Sequence, residues 1–170
     1  MSFEYFRYPE KFASMAENPE PCSVCGEAKK CFDAGGYSGI RDIDFICADC
    51  LKAGKLIELD IEANLNFDDG SEAAKTITYR TPALPTWQDT AWPMIDGRFP
   101  IFECIASKED FKDRNEFLDS FIEDDQTKAD IEWVWNSLPS KKLNSYKDGG
   151  DVSVYLFTLD SKKYWIWDAS

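Results

Sequence analysis

Four cysteines carry the clearest chemical signal in the sequence. They form two Cys-x-x-Cys pairs, Cys22/Cys25 and Cys47/Cys50, with 21 residues between the pairs. Two such turns direct four thiolates toward one centre and complete a tetrahedral zinc site with Zn–S distances of about 2.3 Å. The usual spacing between pairs is about 15–20 residues, so a spacing of 21 lies at its long edge. We therefore predict that these four cysteines bind one structural Zn²⁺ ion.

Two further cysteines, Cys31 and Cys104, lie outside these pairs. Cys31 could replace one ligand, but it has no second cysteine at the spacing of a Cys-x-x-Cys turn. A single free cysteine more often packs as a small hydrophobic side chain. We therefore leave Cys31 outside the predicted site, and the sequence assigns no role to Cys104.

The sequence contains no histidine. This excludes the Ser-His-Asp and Cys-His arrangements and removes the commonest general base at neutral pH. A zinc ion held by four thiolates has no open position for water, so it is structural and not catalytic. The phosphate-binding motifs G-x-x-x-x-G-K-[ST] and G-x-G-x-x-G are also missing. We therefore predict a protein that is not an enzyme.

Carboxylate or thiol chemistry is the enzymatic alternative that the composition leaves open. Acidic residues are plentiful, but no spacing selects a pair for acid–base catalysis. A redox role of either cysteine pair is disfavoured, because two pairs so close together would compete to bind metal. An enzyme of this kind should lose activity on a change at one residue, such as Glu103 or Cys104, while remaining folded.

The composition is that of a globular chain, since 44% of its 170 residues are hydrophobic and 15% are aromatic. We expect an aromatic N-terminal arm and the zinc module in residues 1–56, and an α+β domain packed against them in residues 57–170. No apolar run approaches the roughly 18 residues of a membrane-spanning helix, and the start of the sequence lacks a signal-peptide pattern. We therefore expect a cytoplasmic protein with reduced cysteines and no membrane partner.

The chain is strongly acidic, with 19 basic and 32 acidic residues and a formal net charge of −13. Residues 109–132 contain ten acidic and three basic residues, whereas residues 1–57 contain nine and seven. Direct nucleic-acid binding is disfavoured, because each phosphate contact needs a lysine or an arginine. The charge instead favours a basic protein partner.

The acidic stretch contains the predicted partner-binding surface. This surface consists of Glu123, Asp124, Asp125 and Trp133. The carboxylates lie in a predicted bend between two helices, and the tryptophan lies off the apolar stripe of the second helix. A solvated connection is the simpler interpretation of any one carboxylate, whereas the whole run favours a docking surface for a basic protein.

Short elements should position the four cysteines. Gly26 allows a tight turn behind the first pair, and glycines within residues 34–39 indicate a hairpin. Phe45 and Ile46 should lead as a strand into the second pair, which begins a short helix that ends at Gly54. A knuckle, a hairpin and a helix that carries the last two ligands make a treble-clef or zinc-ribbon-like module.

The rest of the chain predicts an antiparallel sheet with two or three helices. Alternating apolar residues indicate a strand over residues 57–67. The other predicted elements are strands over 76–79 and 99–106, a helical turn over 87–92, helices over about 111–122 and 131–138, and a hairpin of 152–159 and 164–167. Asp124 or Asp125 could cap the second long helix, and Pro139 ends it.

A block of Trp87, Gln88 and Trp92 could line a pocket. The simpler interpretation is that both tryptophans belong to the core, because aromatic residues dominate core burial.

Several blocks of the sequence resemble the CbrC family of small bacterial proteins. The matching residues are Pro21-Cys22-x-x-Cys25-Gly26, Tyr37-Ser38, Cys47-x-x-Cys50-x-x-x-Gly54, Arg80-Thr81-Pro82, Trp87-Gln88, Trp92, Tyr155-Leu156-Phe157 and Trp167-Asp168. The family commonly carries a Cys-x-x-Cys-Gly turn in the last hairpin and cysteines after the second tryptophan, and this chain has neither. A second metal site or a thiol function of relatives is therefore not carried over.

The resemblance implies a role in tolerance of colicin-type bacterial toxins. Together with the acidity, it predicts a non-enzymatic, zinc-stabilised module that binds and masks a basic toxin such as a nuclease. The alternatives are the enzyme described above and a stress regulator that touches nucleic acid through its nearly neutral zinc module, although that module has no basic patch.

Overall fold

The computed structural model of the chain describes residues 1–122 and 130–170. Within these residues the fold is mixed α+β with antiparallel sheets, as predicted. The helices are α1 Pro9–Phe12, α2 Ala48–Lys52, α3 Lys55–Leu59, α4 Glu72–Arg80, α5 Arg114–Asp119 and α6 Ile131–Ser137. The strands are β1 Glu20–Pro21, β2 Ala28–Lys29, β3 Cys31–Asp33, β4 Ser38–Gly39, β5 Phe45–Cys47, β6 Ile61–Glu62, β7 Ile101–Ile105, β8 Val152–Leu159 and β9 Lys162–Ala169.

A three-stranded antiparallel sheet in the order β7-β8-β9 forms the centre of the C-terminal part. The predicted strand at 99–106 and the predicted hairpin are both confirmed. Residues 152–157 of β8 are all buried, because this central strand is covered on both faces. Asp160 and Ser161 form the tight turn of the hairpin with positive φ angles of 50° and 66°.

The two faces of this sheet belong to two apolar cores. One core contains Tyr155 and Phe157, and the other contains Val154 and Leu156, as the alternation of side chains along a strand requires. In the second core, the ring of Trp165 stacks on Phe117 of α5 at a centroid distance of 4.2 Å. Helices α5 and α6 therefore cover one face of the sheet, and the N-terminal half of the chain covers the other.

The first core joins the N-terminal module to the sheet. It contains Phe32 and Leu51 together with Phe102 of β7. The N-terminal arm also pairs with the edge of β7, since the backbone N–H of Phe102 donates to the carbonyl of Tyr5 at 2.8 Å. Both parts thus pack on one core, while the division at residue 56 stays a prediction.

The strand predicted over residues 57–67 is wrong. Residues 55–59 form α3, and β6 covers only Ile61–Glu62. Gly54 and Asp60, on either side of α3, both have left-handed backbone conformations with φ of 72° and 53°. The helix buries Leu56 and leaves Ile57 exposed. The alternating apolar residues that predicted a strand therefore also fit a short helix with one buried side chain.

The predicted strand over residues 76–79 and the predicted helical turn over residues 87–92 are also wrong. Residues 72–80 form α4, which begins at a cap where the Ser71 hydroxyl accepts from the N–H of Ala74 at 3.1 Å. The β-branched residues Thr76, Ile77 and Thr78 favour a strand. The helix forms instead because Ser71 caps its start and its buried residues recur at helical spacing. Residues 87–92 form an irregular loop.

The helices on the second core are confirmed, with shorter bounds. The first is α5, so Phe111 packs on the core from outside the helix. The second is α6, and Asp130 occupies its N-terminal cap position. The caps predicted for it, Asp124 and Asp125, lie outside the described residues.

Within the described ranges, none of the helices has the length and apolar character needed to cross a bilayer.

One buried amide holds the segment after β6 against the end of α4. The Asn64 side-chain amide donates to the carbonyl oxygens of Ile77, Thr81 and Pro82 at 3.0–3.1 Å. Its oxygen accepts from the N–H of Leu84 at 2.9 Å. All hydrogen-bonding atoms of this side chain are therefore paired inside the protein.

Replacing this amide should destabilise the whole fold. We expect Asn64→Ala to lower the free energy of unfolding by about 3 kcal/mol, because it leaves several buried backbone groups without partners. Urea denaturation followed by tryptophan fluorescence measures the change. Asn18→Ala, at an exposed position, is the matched control and should stay within about 0.5 kcal/mol of the parent protein. Equal stability of the two variants would contradict the assignment.

Candidate metal centre

The first cysteine pair lies in a knuckle between two short strands. Strands β1 and β2 pair in antiparallel register, and the turn between them carries Cys22 and Cys25. Gly26 follows with a φ of 75°, and its N–H donates to the carbonyl of Cys22 at 2.8 Å. A left-handed residue is required at this point, which explains the glycine predicted to turn the chain behind the metal.

The second pair lies where a strand passes into a helix. Cys47 ends β5 and occupies the N-cap position of α2, and Cys50 lies within that helix. The backbone N–H of Ser23 donates to the carbonyl of Phe45 at 2.9 Å, which ties the knuckle to β5. Strands β3 and β5 pair in antiparallel register across the loop of residues 34–44, so the predicted order of knuckle, hairpin and helix is confirmed.

These elements bring the four sulfur atoms together. The Sγ atoms of the predicted ligands all lie within 4.8 Å of one another, and those of Cys25 and Cys47 are 4.0 Å apart. A tetrahedral ion with metal–sulfur distances of about 2.3 Å requires sulfur separations of about 3.8 Å. The donor set therefore fits a single metal ion.

Burial and charge differ among the four thiols. Cys22 and Cys47 are buried, Cys50 is partly buried and Cys25 is exposed. Burial opposes ionisation of Cys22, but hydrogen bonds from backbone N–H groups outweigh it and lower the pKa of this thiol to about 6. Burial raises the pKa values of Cys47 and Cys50. Four thiolates this close repel one another, and a bound cation offsets that repulsion.

The two remaining cysteines lie outside this set. Cys31 is buried and stands opposite Cys47 in the β3–β5 pair, with its Sγ atom 3.4 Å from the carbonyl oxygen of Glu20. Burial and the nearby cysteines raise its pKa to about 11. Burial, with the charges of Asp110 and Glu103, raises the pKa of Cys104 to about 12. Both thiols are therefore protonated at neutral pH.

The predicted partner-binding surface is placed only in part. Trp133 is 50% exposed, and its ring contacts that of Trp167 at a centroid distance of 5.6 Å. Glu123, Asp124 and Asp125 lie outside the described residues. The surface that these four residues would form stays a prediction.

The block of Trp87, Gln88 and Trp92 divides into two kinds of residue. Trp92 is buried in the first core, and its indole N–H donates to the carbonyl of Pro100 at 3.0 Å. Trp87 is 58% exposed, and the Gln88 side chain donates to the carbonyl of Ala169 at 2.9 Å. The core interpretation therefore holds for Trp92 and not for Trp87.

Asp168 holds the loop that contains this block. Its side chain is buried, and one oxygen accepts from the backbone N–H groups of Trp87 and Gln88 at 2.7 and 3.2 Å. The Thr90 hydroxyl donates to the same oxygen, and the Tyr155 hydroxyl donates to the other at 2.6 Å. Sequence reasoning assigned Asp168 no role. The sequence feature that could have indicated this role is an aspartate within an apolar strand. A buried carboxylate there needs hydrogen-bond partners, because leaving it unpaired is costly.

The chain thus belongs to the mixed α+β proteins that carry a four-cysteine centre able to hold a metal ion. It is a member of the uncharacterised protein family UPF0167, whose model matches residues 1–168. Comparisons with curated proteins and with solved structures gave no match. The narrower CbrC name stays a prediction.

Removing one ligand should release the metal and weaken the fold. We expect one zinc ion per parent chain and well under half of that in Cys47→Ser, with a melting temperature lower by roughly 10 °C. Elemental analysis and thermal unfolding measure the two quantities. Cys31→Ala should retain the full zinc content, because Cys31 lies outside the set of four. Zinc-free parent protein, purified without chelator, would contradict the metal assignment.

Proposed function

We propose that the protein is a non-enzymatic, zinc-stabilised module that binds a basic protein. The observation that carries the zinc assignment is the convergence of four cysteine sulfur atoms within 4.8 Å. Four thiolate donors are typical of a closed structural zinc site. In this proposal Cys22, Cys25, Cys47 and Cys50 hold the ion, which supplies local folding energy and no chemistry.

The size of the surrounding elements supports a structural role. Strands β1 and β2 contain two residues each, and β3 and β5 contain three each. Strands this short bury little apolar surface and are not stable alone. A metal ion that cross-links the knuckle to α2 stabilises the folded arrangement of such a module.

The charge of the chain supports a basic protein as the partner. A formal net charge of −13 raises the association rate with a positively charged surface and repels nucleic acid. Complementary charge across an interface also selects the partner. From the CbrC resemblance we propose that this partner is a bacterial toxin, such as a basic nuclease, and that the protein masks it in the cytoplasm.

Two groups weigh against the enzymatic alternatives. Cys104 has a raised pKa of about 12, with burial as the main cause, so its thiol is a poor nucleophile at neutral pH. The Glu103 carboxylate accepts hydrogen bonds from Arg7 and from the Thr158 hydroxyl. These contacts give Glu103 a structural role, and the raised pKa leaves the Cys104 thiol protonated.

A salt-sensitive complex tests the proposal. The protein is mixed with catalytically inactive nuclease domains of colicin-type toxins and analysed by size-exclusion chromatography. We expect a 1:1 complex at low salt that weakens at least tenfold in about 1 M NaCl, where the screening length is about 3 Å. An acidic protein of similar size, used as the control, should elute separately. Separate elution of the toxin at low salt would rule the proposal out.

A further inference from the structure

Cys31 lies between the two halves of the four-cysteine site, although it is not one of the four. It belongs to β3 and stands directly opposite Cys47 of β5. Its thiol donates to the carbonyl oxygen of Glu20, in the strand that leads into the knuckle, at 3.4 Å. The exposed fractions of Cys31 and Cys47 are 0% and 2%. Two buried thiols therefore lie beside each other on one face of a strand pair.

The hydrogen bonds of the two residues show which kind of pair they form. The carbonyl of Cys31 accepts from the N–H of Ala16 at 3.0 Å, on the edge of β3 that faces away from β5. The N–H of Cys47 donates to the Sγ atom of Cys22 at 3.4 Å. Cys31 and Cys47 are thus a non-hydrogen-bonded antiparallel pair. In such pairs the Cα atoms are about 4.5 Å apart and the side chains approach most closely.

This geometry is compatible with a disulfide. A disulfide needs Cα atoms about 4.4–6.8 Å apart and Cβ atoms that point to the same side. A non-hydrogen-bonded pair meets both conditions without a large movement of the backbone. A bond between Cys31 and Cys47 would cross-link β3 to β5 and take Cys47 away from the other three cysteines.

The thiol through which an oxidant can enter is that of Cys25. It is the exposed member of the set of four, and its Sγ atom is 4.0 Å from that of Cys47. Peroxides oxidise cysteines that are accessible and have thiolate character. Oxidation would therefore begin at Cys25 and reach the buried Cys31 through Cys47.

We propose that Cys31 is the resolving cysteine of a peroxide-sensitive switch, which ends in a disulfide between Cys31 and Cys47. In the reduced protein Cys47 belongs to the four-cysteine set, and in the oxidised protein it is bonded to Cys31. Three sulfur donors then remain, which weakens the hold on a metal ion. The inference goes beyond the proposed function, since it needs no protein partner.

The chemistry uses one equivalent of hydrogen peroxide. The Cys25 thiolate attacks the peroxide, so that a sulfur–oxygen bond forms, the oxygen–oxygen bond breaks and hydroxide leaves. The Cys47 thiolate then attacks the sulfur of this sulfenic acid, which forms a Cys25–Cys47 disulfide and releases a second hydroxide. One hydroxide takes the proton of Cys31, whose sulfur attacks Cys47 and expels the Cys25 thiolate. In total, Cys31 and Cys47 lose two electrons, and peroxide is reduced to one water and one hydroxide.

The fixed position of Cys31 favours the last exchange. Its strand is held on both edges, by β5 on one side and by residues 14–16 on the other. A reacting group held opposite its target has a high effective concentration. Cys25 instead lies in an exposed turn. The disulfide should therefore pass from Cys25 to Cys31.

Disulfide mapping tests the switch. Zinc-loaded, full-length protein is treated with a small excess of hydrogen peroxide, its free thiols are blocked with iodoacetamide, and an unreduced tryptic digest is analysed by mass spectrometry. Trypsin places Cys31 in residues 31–41 and Cys47 in residues 42–52, so the predicted bond joins two peptides. A bond within either Cys-x-x-Cys pair would stay inside one peptide. Fragmentation distinguishes Cys47 from Cys50.

Release of the metal is measured in the same samples. We expect the zinc released, determined with 4-(2-pyridylazo)resorcinol, to rise in proportion to the Cys31–Cys47 peptide. Dithiothreitol should cleave the bond and restore zinc binding. Zinc that stays bound in protein carrying this disulfide would overturn the inference. Zinc release with Cys31 still free and alkylated would overturn it as well.

The variant Cys31→Ser tests the order of the steps. Its hydroxyl keeps a donor for the carbonyl of Glu20, so the variant should fold and bind zinc as the parent protein does. Without the Cys31 sulfur, oxidation should stop at the Cys25–Cys47 disulfide, which joins residues 12–29 to residues 42–52. Cys31→Ala, which has no polar atom to bury, is the second variant and should give the same product.

A matched control replaces the other cysteine outside the set. Cys104→Ala should form the Cys31–Cys47 bond to the same extent as the parent protein. Loss of the bond in this variant, or an oxidised Cys31→Ser without the Cys25–Cys47 bond, would contradict the proposed route.

The inference and the proposed function fail separately. A toxin complex of the zinc-loaded protein, together with a Cys31 thiol that peroxide leaves free, would remove the switch and keep the proposed function. A Cys31–Cys47 disulfide in a protein that binds no toxin would support the switch and remove the toxin as the partner.

Discussion

The approach of four cysteine sulfur atoms to one point is the constraint on which the N-terminal third of the protein depends. The strands around it are two or three residues long and cannot supply a stable sheet. The same segments place Phe32 and Leu51 in the core that covers the C-terminal sheet. A metal ion bound by the four cysteines would therefore fix the knuckle and support one side of the first core. A bound ion would in this way stabilise packing between parts of the chain that are distant in sequence.

That packing also involves two loops that buried side chains hold from inside the protein. Residues 62–65 and 83–90 line one cavity with residues 33–38 of the module, and hydrogen bonds of Asn64 and Asp168 hold the loop of residues 83–90. The buried side chains of Asn64 and Asp168 form hydrogen bonds with backbone groups, and Asp168 also bonds to other side chains. Backbone partners fix the path of a loop more directly than side-chain contacts do. Buried hydrogen bonds thus fix the path of both loops.

The parts that could be predicted from the sequence are those specified by local spacing. The two cysteine pairs and the apolar strand β8 with its hairpin are of this kind. Residues 57–67 were predicted wrongly, because their apolar pattern suits two structures and the choice depends on left-handed residues at Gly54 and Asp60. Asp168 bonds to groups about 80 residues away in the chain, so its role needed the tertiary structure. Features with one local interpretation were therefore predicted correctly, whereas a locally ambiguous apolar pattern and a residue with long-range partners were not.

The negative net charge of the chain limits where its carboxylates can lie. A net charge of −13 opposes the compact state through self-repulsion, so each carboxylate must be neutralised, hydrogen-bonded or left in water. Asp168 is buried and fully hydrogen-bonded, whereas Asp33, Glu62 and Asp89 line one cavity without a cation in its lining. Burial of a carboxylate is therefore tolerated in this fold where the protein supplies donors to both of its oxygens, as it does for Asp168.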